Sequence, residues 1–245
     1  MADIKKTVLI TGSTRGLGLA FATHYSKAGW NVIGTARANS STDKLAALSP
    51  FKIVTMDTGN EASVVEAGRK LDGVAIDLLI NNAGIGEAGG LESATKESLM
   101  RQFEVNAVGP FLVTRALLPN LQLAAKTHGS AFVVQLSSFM GSITSNTDAT
   151  VAYFGEQYGY SASKAALNMI TRTLAVKLRP SDIVAVSFHP GYVDTDMTEG
   201  APIKATLQPS DSVAAMVERI AQLSAVDAGK FFNLDAQIPM LELPW

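Results

Sequence analysis

The chain has no cysteine among its 245 residues. Disulfides, thiolate nucleophiles and zinc–cysteine sites are therefore excluded, and a reducing compartment fits. Histidine is scarce as well. The three, His24, His128 and His189, are scattered without ligand-like spacing, so no structural metal is expected. Neither sign of charge dominates. A formal net charge of −2 supplies no electrostatic reason to expect nucleic acid or an anionic membrane as partner. No apolar run is long enough to span a bilayer. The opening Met1-Ala2-Asp3-Ile4-Lys5-Lys6 lacks a secretory apolar core with a cleavage site. A soluble cytoplasmic protein is expected. Internal repeats, low-complexity stretches and linkers are missing too. With 47% hydrophobic and 17% charged residues, the chain reads as globular, and 1–245 reads as one domain.

What is present is a rhythm. Short, almost continuously apolar runs occur at 7–11, 31–35, 52–56, 76–80, 131–136, 183–188 and 231–234. Such runs suit parallel strands covered on both faces. Helical patterns lie between them, near 17–28, 61–71, 97–126, 160–178 and 210–224. The alternation predicts an α/β fold: a doubly wound parallel sheet of about seven strands with right-handed crossovers. Two stretches break the rhythm. Residues 141–159 are rich in Gly, Ser, Thr and Asn and hold Tyr153, Phe154 and Tyr158. Residues 192–209 contain Pro202 and Pro209. Both follow strands, so both project from the carboxyl edge of the sheet, where open α/β sheets bind ligands.

Gly12, Gly16 and Gly18 lie between the first strand and the first helix. Glycine there permits positive φ and lets backbone approach a pyrophosphate, which the helix N-terminus also favours. The spacing is G-x-x-x-G-x-G. A glycine turn alone also fits simple tight packing of strand against helix. The end of the second strand, Thr35-Ala36-Arg37-Ala38, lacks the carboxylate that would bind a ribose of NAD. Arg37 offers a planar fork for a 2′-phosphate, and Arg15 could approach that phosphate from the glycine turn. NADP(H) is the expected cofactor.

Tyr160 and Lys164 stand one helical turn apart, on one face. A phenol with a reference pKa of roughly 10 is a poor base, and a nearby ammonium lowers that pKa. The pair can thus donate a proton to a carbonyl oxygen or take one from an alcohol. The strand at 131–136 ends in Ser137-Ser138-Phe139-Met140-Gly141. A hydroxyl at that edge can hydrogen-bond a substrate oxygen. Ser137 reads more readily as a turn former than Ser138 does. Asn106 is oddly polar among Phe103, Val105, Val108 and Phe111, although a locally satisfied buried amide explains it equally.

Together these motifs resemble the short-chain dehydrogenase/reductase family. They are Thr11-Gly12-x-x-x-Gly16-x-Gly18, Asn81-Asn82-Ala83-Gly84, Asn106, Ser138, Tyr160-x-x-x-Lys164 and Pro190-Gly191-x-x-x-Thr195, in the family's order. Ser137 to Ile143 and His189 to Met197 look most like the branch with the sniffer-type carbonyl reductases and the bacterial C-factor proteins. The resemblance implies a Rossmann-type sheet of order 3-2-1-4-5-6-7 and a homodimer or homotetramer. It implies Tyr160 as general acid/base, Lys164 lowering its pKa and binding the nicotinamide ribose, Ser138 polarising the substrate oxygen and Asn106 holding a relay water. It places cofactor contacts on Gly12, Thr14, Arg15, Gly16, Leu17 and Gly18 of the first turn. Further contacts fall on Arg37, on Asp57 beside adenine, and on Asn82, Ala83 and Gly84. The last group is Pro190, Gly191, Val193 and Thr195, the threonine at the carboxamide.

The expected activity is hydride transfer between NADPH and a ketone or aldehyde. Met140, Tyr153, Tyr158, Tyr192 and Met197, with Phe139 and Phe154, are candidate walls for an apolar or aromatic carbonyl compound. Packing of lids or of a subunit interface accounts for each of them equally well. Two other readings remain: a non-catalytic dinucleotide-binding regulator, and NAD-linked alcohol oxidation.

Overall fold

The computed structural model describes residues 5–200, 204–205 and 207–245; Pro202, in the second of the irregular stretches, lies outside them. The seven strands are β1 (Thr7–Ile10), β2 (Asn31–Ala36), β3 (Lys52–Thr55), β4 (Leu78–Asn81), β5 (Ala131–Leu136), β6 (Ile183–His189) and β7 (Phe231–Asn233). All pair in parallel in one sheet, in the order β3-β2-β1-β4-β5-β6-β7. This is the doubly wound order expected from the sequence. Val8, Leu9, Ile10, Leu79, Ile80, Val133, Val134 and Val186 are all fully buried at its centre, as near-continuous apolar strands must be when helices cover both faces.

The helices fall into two packed groups. α1 (Gly16–Lys27) lies against α9 (Pro209–Ala221) and the short α2 (Asp43–Ala46). α3 (Glu61–Arg69) packs on α5 (Gly109–Ala116), and α4 (Lys96–Phe103) packs on α8 (Tyr158–Leu178). α6 (Leu118–His128) leads into β5, and α7 (Val151–Phe154) is a single turn within the first irregular stretch. Because strand order reverses at β1 and β4, a crevice opens at their carboxyl ends.

One expectation needs correction. The stretch 97–126 is not one helix. α4 passes into a π turn, Glu104–Val108, before α5 begins, and a further break at Leu117 separates α5 from α6. Pro110 and Pro119 explain both interruptions. Proline has no N–H for the helical ladder and is tolerated only in a first turn, which is where each stands. Pro110 also removes the N–H that an uninterrupted α-helix would aim at the Asn106 carbonyl. The helix of α8 starts two residues before Tyr160, so Tyr160 and Lys164 lie in its first two turns.

Candidate active site

The glycine turn after β1 is fastened on both sides. Towards β2, Ser13 N donates to Thr35 O at 3.0 Å and Gly12 N to Thr35 Oγ1 at 3.2 Å. Towards β4, Thr11 Oγ1 accepts from Asn82 N (2.9 Å) and Ala83 N (3.0 Å). Asn82 Nδ2 donates to Thr11 O at 2.8 Å and Gly12 O at 3.1 Å. The Asn82 amide therefore shapes the turn instead of reaching out of it. Gly12 and Gly16 both adopt positive φ, of 63° and 51°. A Cβ at Gly18 would fall on the Gly12 carbonyl oxygen and within 2.6 Å of Asn82 Nδ2.

The first turn of α1 contains no acidic residue, and Arg15, its N-cap, makes no side-chain cap. The positive end of the helix dipole and its orphan N–H groups face a cradle that only glycine can line. That donor set fits a pyrophosphate. Gly16 lies against Thr195 from the loop after β6, 3.5 Å separating its would-be Cβ from Thr195 Cγ2. Thr195 is held in a turn in which Thr198 Oγ1 accepts from Thr195 N and donates to Val193 O. Val193 is buried, and Ser212 of α9 donates to Pro190 O at 2.6 Å.

Arg37 and Asp57 stand exposed beyond the neighbouring ends of β2 and β3. The Asp57 carboxylate caps a local turn by accepting from Gly59 N at 3.1 Å. Arg15 has a partner within the chain. Its guanidinium reaches across to Asp196 in the loop after β6, Nη1 to Oδ2 2.7 Å, with both side chains mostly exposed. The acid is 181 residues away in sequence, which is why the pairing was invisible there.

At the ends of β4 and β5 a second constellation forms. Ser138 is extended and nearly buried; its hydroxyl accepts from Met140 N at 3.2 Å and lies beside the Tyr160 phenol. Ser137, in contrast, turns inward and donates to Asn168 Oδ1 at 2.7 Å. Lys164 is buried. Its Nζ donates to Leu136 O at 2.7 Å and sits 5.5 Å from the Tyr160 ring centroid. Burial pushes the Tyr160 phenol up to about 12, against a smaller downward pull from the neighbouring Ser138 hydroxyl. Burial pushes Lys164 down to about 8. Desolvation dominates, because a phenolate here would lose its water.

Asn106, on the π turn, is fully buried and satisfied. It accepts from Ile85 N (2.9 Å) and donates to Ile85 O (2.8 Å) and Ser163 Oγ (3.0 Å). Its side chain pins the segment after Gly84 to α8, and Pro110 deprives its backbone carbonyl of the usual helical N–H partner. A Cβ at Gly84 would lie 3.2 Å from Asn106 Oδ1 and 3.6 Å from Lys164 Nζ. The aromatic candidates divide. Met197 and Tyr160 meet at Gly86, with 3.4 and 3.6 Å to its would-be Cβ. Tyr153 and Phe154 instead pack on Phe139, at centroid distances of 6.4 and 5.8 Å. Met140 is half-buried beside Ser138, while Tyr158 and Tyr192 are exposed at the rim.

Two contributors were not singled out beforehand: Ser163 holds Asn106, and Asn168 holds both Ser137 and Gly141 O (3.1 Å). Ser163 and Asn168 lie on the helix that carries Tyr160 and Lys164. Polar side chains at that spacing on an otherwise apolar helix face were the available signal.

A family model for short chain dehydrogenases matches residues 6–206, and this chain belongs to that family. Among solved structures, an NADPH-bound carbonyl reductase from chicken fatty liver superposes with a TM-score of 0.86 at 32% identity, covering 98% of this chain and 99% of its own. The carbonyl reductase Sniffer of D. melanogaster also gives 0.86, at 31% identity, covering 98% of this chain and all of its own. The C-signal protein of Myxococcus xanthus is 41% identical over 171 residues, 69% of this chain and 93% of its own length.

Proposed function

We propose that this chain, acting as one domain, is an NADPH-dependent reductase of ketones or aldehydes in which Tyr160 is the proton donor. The observation that carries the reading is the placing of the Ser138 hydroxyl beside the Tyr160 phenol and the buried Lys164, at the sheet edge onto which the glycine cradle also opens. A substrate carbonyl oxygen entering there would accept from both hydroxyls, and donors prealigned on a growing negative charge supply much of a reductase's acceleration. With its pKa near 12, Tyr160 is a full phenol at neutral pH, which suits donation to an alkoxide better than removal of a proton from an alcohol. Lys164 remains largely an ammonium at pH 7. One of its three donors holds Leu136 O, which leaves two for the phenol side and a ribose.

The bound nicotinamide would supply hydride to the carbonyl carbon. Its dinucleotide would be held by the N-terminus of α1 with Gly12, Thr14, Gly16, Leu17 and Gly18, by the Asn82-Ala83-Gly84 turn and by Lys164. Val193 and Thr195, held by the Pro190-Gly191 turn, would close the nicotinamide end. Arg37, where an NAD-selective enzyme places a carboxylate, supports NADP, as does the NADPH in the chicken neighbour. The Asn106 carbonyl, which loses one N–H partner to Pro110, is suited to hold a relay water.

The likeness to a protein named C-signal favours one alternative, a cofactor-occupied signalling protein. NADPH oxidation against α-diketones, quinones, isatin-like ketones and aliphatic aldehydes separates the two. We expect turnover that falls about 100- to 10,000-fold in Tyr160→Phe, with NADPH affinity unchanged. Tight NADPH binding with no turnover across the panel would favour signalling.

A further inference from the structure

We infer that the segment Met240–Trp245 is a strap that positions the wall of the substrate site, and that Trp245 and Thr144 set carbonyl affinity without touching the substrate. The activity readouts below rest on the reductase reading; the exchange readout does not.

β7 has only three residues and is the edge of the sheet. The segment runs antiparallel along it. Asn233 N donates to Leu241 O at 2.9 Å, Leu243 N donates to Phe231 O at 2.7 Å, and Phe232 bridges Glu242. The Asn233 side chain folds the approach by donating to the carbonyls of Asp235, Ile238 and Met240. Covering an exposed edge is reason enough for residues 241–243. Residues 244 and 245 do something else.

The Pro244 carbonyl accepts from Ser142 Oγ at 2.7 Å. The Trp245 carbonyl accepts from Thr144 N at 3.1 Å and Thr144 Oγ1 at 2.8 Å. The Trp245 ring stacks on Phe231, with centroids 5.5 Å apart and planes 22° from parallel, so the far end is anchored in β7 itself. Ser142 and Thr144 lie four and six residues after Ser138. Between them and α7 the chain closes mainly on itself: Ser145 N and Ser145 Oγ engage Ser142 Oγ, and Thr150 Oγ1 donates to Ser145 O at 2.6 Å.

The same stretch delivers Tyr153 and Phe154 to Phe139, the residue next to Ser138. Asn168 of α8 holds the inner side of this turn through Gly141 O, and the strap holds its outer side. Loops that are only locally bonded sample many conformations, and a wall must be ordered before substrate binding can benefit from it. The strap supplies that order from a hundred residues away.

Trp245→Ala and Thr144→Val in the full chain test this, with Trp245→Phe as the conservative control. Amide exchange across 142–158 should accelerate about tenfold in both variants, through loss of the Oγ1 hydrogen bond in Thr144→Val and of the ring that anchors the accepting backbone oxygen on Phe231 in Trp245→Ala, while β1 and β2 stay unchanged. KM for a bulky aryl ketone should rise about five- to tenfold. Turnover of a small aliphatic aldehyde and NADPH affinity should stay within about twofold. Trp245→Phe should restore the parent values, and the double variant should be no worse than the stronger single one.

Unchanged exchange at 142–158 in both variants would overturn the strap. So would a rise in NADPH Kd matching the rise in KM, since a general loss of fold moves both. Thr144 is exposed, so its variant reports even where Trp245→Ala fails to fold. A chain that turns over no carbonyl removes the reductase reading and leaves the exchange result to decide the strap.

Discussion

The glycine turn after β1 and the irregular stretch after β5 occupy neighbouring positions on one sheet edge, yet they are held by different means. The first is determined by backbone: two positive φ angles, an absent Cβ at Gly18, and bonds to the ends of the adjacent strands β2 and β4. The second is held by side chains and carbonyls drawn from distant sequence, Asn168 from α8 and Pro244 and Trp245 from beyond β7. Where contacts are local and steric, the geometry admits one residue type. Where they are long-range hydrogen bonds, many sequences could serve. On the proposed reading the first must meet an invariant pyrophosphate and the second a variable compound, which suits this difference.

Breaking the rigid side should have the largest effect. Gly18→Ala drives a methyl into the Gly12 carbonyl and the Asn82 amide, neither of which can move without opening the turn. We expect about 2–3 kcal/mol of destabilisation by denaturant titration and loss of measurable NADPH binding. A tolerated alanine would mean that the turn is far softer than its geometry. Arg37→Asp leaves the turn intact and removes the cation at the end of β2. NADPH affinity should fall about 30- to 100-fold with NADH little affected. Equal losses for both would end the argument for NADP.

The flexible side is sharpened by pH. His189, at the end of β6, lies under Phe139 (6.2 Å between centroids) with its Nε2 3.9 Å from Asp235. Burial pushes the imidazole down to about 4 from an ordinary 6.5, against a weaker upward pull from Asp235. Between those values the unfolded chain binds a proton that the folded chain refuses. Stability is therefore full above pH 6.5 and falls as pH drops towards 4, by about 2 kcal/mol at pH 5. Urea unfolding at pH 7 and 5 measures this, and His189→Asn should flatten the difference. The smallest effect belongs to the ion pair between the glycine turn and the loop after β6. Arg15 and Asp196 are exposed, and Asp196→Asn should shift neither stability nor NADPH affinity by more than about twofold. A large gain in affinity would show instead that the acid competes with a phosphate for Arg15.

Much of this molecule was legible in its residues. Apolar runs covered on both sides identify parallel strands, so all seven strands followed; their order came from the resemblance to the dehydrogenase family. The spacing of Tyr160 and Lys164 on one helix, and Ser138 at a strand end, followed from periodicity alone. The single helix expected over 97–126 failed because the apolar pattern continues through Pro110 and Pro119, whose effect is on the backbone ladder and not on the pattern. Asn106 was legible as a polar oddity but not as a pin between Ile85 and Ser163, since both partners come from other elements.

The sequence by itself determined the sheet, the glycine cradle and the placing of a phenol, an ammonium and a hydroxyl at one edge. Each of those depends on residues within a few positions of one another, or on the regular periods of helix and strand. Tertiary structure alone decided the rest: that burial raises the Tyr160 phenol, that Arg15 reaches Asp196, and that Trp245 holds the loop beyond Ser138. Desolvation and long-range hydrogen bonds depend on what surrounds an atom in space, and the folded chain brings together residues whose separation in sequence carries no trace of the contact.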